Sequence, residues 1–281
     1  MFNKDLLKDK VAVITGGSGV LGSAISKALA LHGAKVAIIG TNEATVVKVA
    51  EEINISGGQA IGFSANVLDK DSLIEARSEV RKKLGKCSIL INAAGGNHPN
   101  GTTSKEYFEA GDKVRKDIKT FFDLDYEGIS FVFNLNFLGT VLPSQVFGED
   151  MTDTEGDRVI INVSSVSSFN PLTKVSAYSA AKASINNFTQ WLAVHFSQER
   201  IRVNAIAPGF FLTKQNKTLL TEDNGELTER GRTIISQTPM HRFGNPEDLN
   251  GAVLWLCSEA STFVTGIVLP VDGGFTAFSG V

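Results

Sequence analysis

Short runs of aliphatic and β-branched residues recur along the chain, each closed by small or polar residues: Val11–Thr15, Lys35–Gly40, Ala60–Asn66, Ser88–Asn92, Arg158–Ser165, Arg202–Gly209 and Gly266–Gly274. Near-continuous apolar runs, as opposed to alternating ones, predict strands buried on both faces. Between them, Gly22–Leu31, Glu43–Ile53, Asp71–Leu84, Ser176–Gln198 and Pro246–Leu256 have helical character. Strand alternating with helix implies right-handed crossovers and a parallel sheet covered on both sides. The first four strands begin at residues 11, 35, 60 and 88, too evenly for an inserted domain. The pattern therefore predicts an α/β fold: one doubly wound domain over 1–281, with a seven-stranded parallel sheet and helices on both faces.

Two connections are long. Gly95 to Asn136 carries glycines, Asn97, His98, Pro99 and Asn100, then mixed charges from Lys105 to Lys119 and the pair Phe121 and Phe122. Phe210 to Arg242 is similar in character. Connections of this length are usually functional, so substrate loops are expected at about 96–133 and 210–242. The greasiest stretch, Ile129 to Leu142, is broken by Ser130, Asn134 and Asn136, and no membrane span is expected.

Composition narrows the function classes. Of 281 residues, 42% are hydrophobic and 20% charged, a globular balance. The net charge of −3 offers no basic field for a polyanion, so no nucleic-acid partner is expected. The opening MFNKDLLKDK mixes both charge signs and predicts no secretory signal. Cys87 and Cys257 stand in apolar contexts without a Cys/His cluster. That predicts no metal site and suits a reducing, cytoplasmic location.

The first strand runs into Gly16, Gly17, Ser18, Gly19, Val20, Leu21 and Gly22, and then into an alanine-rich helix. Gly17, Gly19 and Gly22 give G-x-G-x-x-G in the strand–turn–helix setting where glycines permit a sharp turn and close approach of a pyrophosphate. Main-chain N–H groups and the positive helix end would face the phosphates. These seven residues are thus expected to bind a dinucleotide, and the predicted domain is Rossmann-type. The second strand ends Ile39-Gly40-Thr41-Asn42, with neither the acidic residue that marks NAD nor an arginine for NADP. Thr41 and Asn42 can hydrogen-bond either form; lack of a local cation favours NAD, with NADP as the alternative.

Tyr178 and Lys182 are spaced i,i+4, which on a helix puts them on one face. A tyrosine that exchanges a proton near neutrality needs positive charge beside it, and Lys182 would supply that. In isolation the pair reads more readily as a core tyrosine with a snorkelling lysine. It is accompanied by Ser165 at the end of the fifth strand and by Asn92, Ala93, Ala94 and Gly95 at the end of the fourth.

With these pieces the chain resembles the short-chain dehydrogenase/reductase family over essentially its whole length. The likeness rests on the glycine turn, Asn92–Gly95, Asn136 with Gly139, Ser165, Tyr178 with Lys182, Pro208-Gly209 with Thr213, and Asp272-Gly273-Gly274. It implies that Tyr178 is the general acid/base, that Ser165 polarises the substrate oxygen, and that Lys182 binds the nicotinamide ribose and lowers the tyrosine pKa. It also implies that Asn136 positions a water that relays the proton. Asn66, Val67, Pro208, Gly209, Phe211 and Thr213 join the expected cofactor contacts, and a homotetramer is implied. Three positions depart from the family pattern: Val20 and Ala93 replace a glycine and an asparagine, and Asn66 replaces an aspartate. The spacing T-G-x-x-G-x-x-G also resembles the epimerase/dehydratase branch, which keeps that chemistry as an alternative.

The predicted mouth is polar, and Asn97, His98, Ser165, Tyr178 and Lys214 are the expected substrate contacts. His98, Lys174, Lys214 and Arg242 are candidates to hold a carboxylate. A greasy steroid or acyl chain would want a more apolar lining. The long insertion and Asn97-His98-Pro99 resemble a branch of D-mannonate oxidoreductases, also called fructuronate reductases. The expected activity is therefore NAD(P)(H)-dependent interconversion of a sugar acid and its ketone, with another polyol or keto-acid dehydrogenase, such as a gluconate 5-dehydrogenase, as the runner-up.

Overall fold

Every side chain in β1 (Val11–Thr15), β4 (Ile89–Asn92), β5 (Arg158–Val163) and β6 (Ile201–Pro208) is buried, as the unbroken apolar runs require of strands covered on both faces. With β2 (Lys35–Gly40), β3 (Gln59–Ser64) and β7 (Val268–Val271) they form a single parallel sheet ordered β3-β2-β1-β4-β5-β6-β7. The computed structural model describes residues 2–213, 217–222 and 224–280. Register is set by apolar neighbours: Val13 sits between Ala37 of β2 and Leu90 of β4.

Alternate residues of each strand feed two cores. Ala12, Ile14, Ile89, Ile91 and Ile161 pack with α1 (Val20–Leu31), α2 (Glu43–Ile55) and α9 (Asn250–Cys257) on one face. Val11, Val13, Leu90, Ile160 and Val203 pack with α3 (Lys70–Lys83), α5 (Gly139–Thr152) and α6 (Ser176–His195) on the other. The chain winds outward from β1 to β3 and then returns to the other side of β1 as β4. At that reversal the crossovers diverge and a crevice opens at the carboxyl ends of β1 and β4.

The region expected to be loop from 96 to 133 differs in one respect. A helix starts at Tyr126, capped by Asp125 Oδ1 accepting from Gly128 N (2.6 Å). It continues as α4 (Tyr126–Phe133), a π turn (Asn134–Leu138) and α5. Asn134, Asn136 and Pro143 interrupt its apolar pattern and hide it from a periodicity reading. By length and composition alone this 27-residue stretch could cross a bilayer. Instead it carries Val132, Val146, Phe147 and Met151 into the protein core. Its buried Thr140 and Ser144 hydroxyls each donate to the carbonyl four residues earlier, as expected of polar groups withdrawn from water.

The rest of the insertion is ordered by short turns and by Lys105, whose Nζ lies 2.6 Å from Glu109 and 3.0 Å from Asp112. In the second long connection lie α7 (Lys217–Leu220) and α8 (Glu229–Ser236), the latter capped by Thr228.

Candidate active site

The glycine turn closes against the end of β4. Gly16 has φ +63°, and a Cβ there would fall 2.8 Å from the Ala93 oxygen. A Cβ on Gly22 would collide with the Gly16 carbonyl, and one on Gly17 would strike Ile14 and Ile38 below the turn. Gly19 begins α1 without a side-chain cap. The first amides of that helix are therefore left to an external acceptor.

From this turn a cleft of about 560 Å³ runs along the sheet edge to Ser165, Tyr178 and Lys182. Of the expected cofactor contacts, its wall includes Gly16, Ser18 to Gly22, Thr41, Asn42, Asn66, Val67, Ala93 to Gly95, Pro208, Gly209, Phe211 and Thr213. Gly17 and Asn92 stand outside it. Asn92 turns into the core, where its Nδ2 lies 2.9 Å from both Ser144 Oγ and Asn162 Oδ1. Asn42 caps α2, accepting from Thr45 N (3.1 Å). The side-chain carbonyl oxygen of Asn66, another expected cofactor contact, accepts from Leu68 N at 3.0 Å.

At the far end Tyr178 and Ser165 stand together on the cleft wall. Ser165 is buried, and its Oγ accepts from Ser167 N (3.2 Å). Lys182, one helical turn beyond Tyr178 and 4% exposed, donates to the Val163 carbonyl at 2.8 Å. Its Nζ lies 5.6 Å from the centre of the tyrosine ring. Burial holds the Lys182 amine down at about 7. Burial also pushes the Tyr178 phenol up, opposed only by the neighbouring Ser165 hydroxyl. Within the protein's own groups, then, desolvation outweighs the expected lowering of the tyrosine by its lysine neighbour.

Asn136 is fully buried, and its side chain is committed to main chain. Nδ2 donates to Gly96 O (2.7 Å) and Val132 O (2.8 Å), while Oδ1 accepts from Gly96 N (3.2 Å). Both amide hydrogens are thereby used, and its own carbonyl accepts from Thr140 Oγ1 at 2.8 Å. The residue braces Gly95 and Gly96 against α4; a water would have to use what remains of its two oxygens.

The expected substrate residues are scattered. Asn97 donates to Thr102 Oγ1 (2.9 Å). His98 Nδ1 accepts from Asn100 N (3.1 Å), which puts the ring proton of a neutral His98 on Nε2. Its ring packs 5.0 Å from Phe131. Lys174, with φ +70°, lines a separate cavity of about 590 Å³ that shares Phe210 with the cleft. Arg242 is corrected as a carboxylate candidate: it pairs with Asp248 at 2.6 Å and lines a different pocket. Lys214 lies outside the described residues. Gly96 and Phe210, at the starts of the two expected substrate loops, also line the cleft, while sequence reading missed Thr45, Ala65, Leu135, Val163 and Ser164 there. Ser164 directly adjoins a motif residue, a signal that proximity alone offers.

Among the described residues no group of three or more His, Cys, Asp or Glu could hold a metal ion. Comparison with known proteins gives a consistent result. A family profile described as enoyl-(acyl carrier protein) reductase matches residues 18–276. An uncharacterised oxidoreductase of Bacillus subtilis is 53% identical over 98% of both chains. A Haemophilus influenzae protein assigned provisionally as a D-mannonate oxidoreductase, solved with bound NAD, is 51% identical over 98% of both chains with a TM-score of 0.93. At 30% identity over 98% of both chains, an Escherichia coli relative is a 7α-hydroxysteroid dehydrogenase.

Proposed function

The chain belongs to the short-chain dehydrogenase/reductase family, and on that footing we propose that it is an NAD(H)-dependent enzyme interconverting D-mannonate and D-fructuronate. The observation that carries the reading is the convergence of Ser165, Tyr178 and buried Lys182 on the wall of one cleft that begins at the glycine turn. The residues present fit a dinucleotide: crowding at Gly16 and Gly22 keeps the turn tight, and the uncapped α1 amides offer donors for a pyrophosphate.

Bound NAD supplies the hydride donor or acceptor. The rest falls to this chain. Ser165 Oγ holds the substrate oxygen, and Tyr178 Oη gives it a proton during reduction or takes one during oxidation. A phenol pushed up by burial is neutral at working pH, which is the proton donor that ketone reduction needs. Lys182, held at about 7, can take or release a proton close by without a large driving force. Asn136 sets the position of Gly95 and Gly96 against the Lys182 amine.

Family membership leaves the substrate open, since a relative at 30% identity is named for a steroid. Support for a sugar acid comes from the provisional assignment of the 51% identical Haemophilus protein, and from the polar run Asn97, His98, Asn100 and Thr102 that follows Gly96 of the cleft wall in the chain. The proposal extends to a cytoplasmic homotetramer, in which a partner subunit would cover exposed Trp191 and Val194 of α6.

A panel of keto-sugar acids and their alcohols, with NADH or NAD at saturation, tests the reading. Absorbance of NADH should fall with D-fructuronate and rise with D-mannonate. Turnover of neutral polyols or steroids alone would overturn it.

A further inference from the structure

We propose that Asn186 is a positioning residue that aims Ser165 through a clamp of two serine hydroxyls; this rests on the reading of Ser165 and Tyr178 as the reacting pair. Asn186 stands on α6 four residues after Lys182 and eight after Tyr178, so the three share one face of the helix. Its carboxamide spans the end of β5. Ser164 Oγ donates to Asn186 Oδ1 (2.6 Å), Asn186 Nδ2 donates to Ser168 Oγ (2.8 Å), and Ser168 Oγ donates to the Ser165 carbonyl (2.5 Å).

The donors point one way. The Ser168 proton is spent on Ser165, so its oxygen must receive from Nδ2, which leaves Oδ1 to accept from Ser164. Flipping the amide would turn Ser168 away from Ser165. The Ser165 carbonyl also takes the Ser168 N–H (3.0 Å), while its Oγ accepts from Ser167 N. Ser165 is thus held at its main chain and at its side chain, with the hydroxyl proton left for the oxygen it faces.

Ser164 and Ser168 are both tied to α6, the first also lying 3.2 Å from the Lys182 carbonyl. The clamp therefore sets the distance between the strand end that carries Ser165 and the helix that carries Tyr178. Small errors in such a distance are costly in turnover, by up to ~100-fold for a displacement of about 1 Å.

The test compares Asn186→Leu, Ser168→Ala and Ser168→Thr with the parent enzyme. For the substrate identified by the panel, kcat should fall about 10-fold or more in the first two, with NADH affinity by fluorescence titration unchanged. The threonine variant, which keeps the hydroxyl, should restore most of the loss. A crystal structure of Asn186→Leu needs no substrate and should show Ser165 Oγ displaced from Tyr178. Such a displacement upholds the geometry even if D-fructuronate proves inert. An undisplaced Ser165, unchanged kcat, or NADH affinity falling in step with kcat would overturn the clamp.

Discussion

The side-chain amide of Asn136 pairs with the main chain of Gly96 as one strand pairs with the next, giving a hydrogen at 2.7 Å and receiving one at 3.2 Å. This reciprocal pair joins a helix to the end of β4 where no ladder reaches. It also draws Gly95 so close that a Cβ there would meet Asn136 Oδ1 at 2.7 Å and Lys182 Nζ at 3.2 Å.

Gly95→Ala should therefore damage the cleft. With Asn136 pinned by three bonds, the added methyl displaces either the brace or the lysine. NADH affinity by fluorescence titration should weaken about 10-fold or more, a cost of the size that overpacking brings. Gly111→Ala, with nothing within 4 Å of the added carbon, is the control and should bind as the parent does.

Tyr178→Phe removes the proton donor and keeps the ring. NADH binding should persist while turnover falls at least ~100-fold, the lower range for general acid–base catalysis. Near-normal turnover would reject Tyr178 as the acid/base.

Lys182 makes stability depend on pH. Its folded value of about 7 lies well below the ordinary one. Between those values the unfolded chain binds a proton that the folded chain does not, so stability rises with pH. Below about 7 both states are protonated and the penalty for burying the charge is fully present. Lys182→Met should thus melt above the parent at pH 6, by an advantage that shrinks toward pH 10. Parallel melting curves across that range would show that the amine is not desolvated.

Lys182 is the sole cation among the described residues lining the cleft, whose wall also includes Thr41. If the adenosine ribose sits at Thr41, Thr41→Arg would add a guanidinium beside a 2′-phosphate. The ratio of kcat/KM for NADPH over NADH should rise by about 10-fold or more, as expected for a new hydrogen bond to a charged group. An unchanged ratio would mean that the adenosine end lies elsewhere.

The strands were legible because burial on both faces demands unbroken apolar runs, and Val11–Thr15, Lys35–Gly40 and Arg158–Val163 have them. Tyr178 and Lys182 were legible because helical spacing is a local property. The helix from Tyr126 to Thr152 was not, since its buried polar residues answer to partners distant in sequence or within its own turns. Long-range partners likewise decided that Asn92 turns to Ser144 and Asn162, and that Arg242 turns to Asp248. Neither choice leaves a trace in spacing.

The π turn at Asn134–Leu138 has a bearing on insertions and deletions. An α-helix advances about 100° per residue, so the wider turn rephases α5 relative to α4. Deleting one residue there would restore regular winding and swing Val146, Phe147 and Met151 off the sheet, exposing them to solvent. The bulge uncouples two faces: the upstream half can change its exposed side while the downstream half keeps its grip on the core.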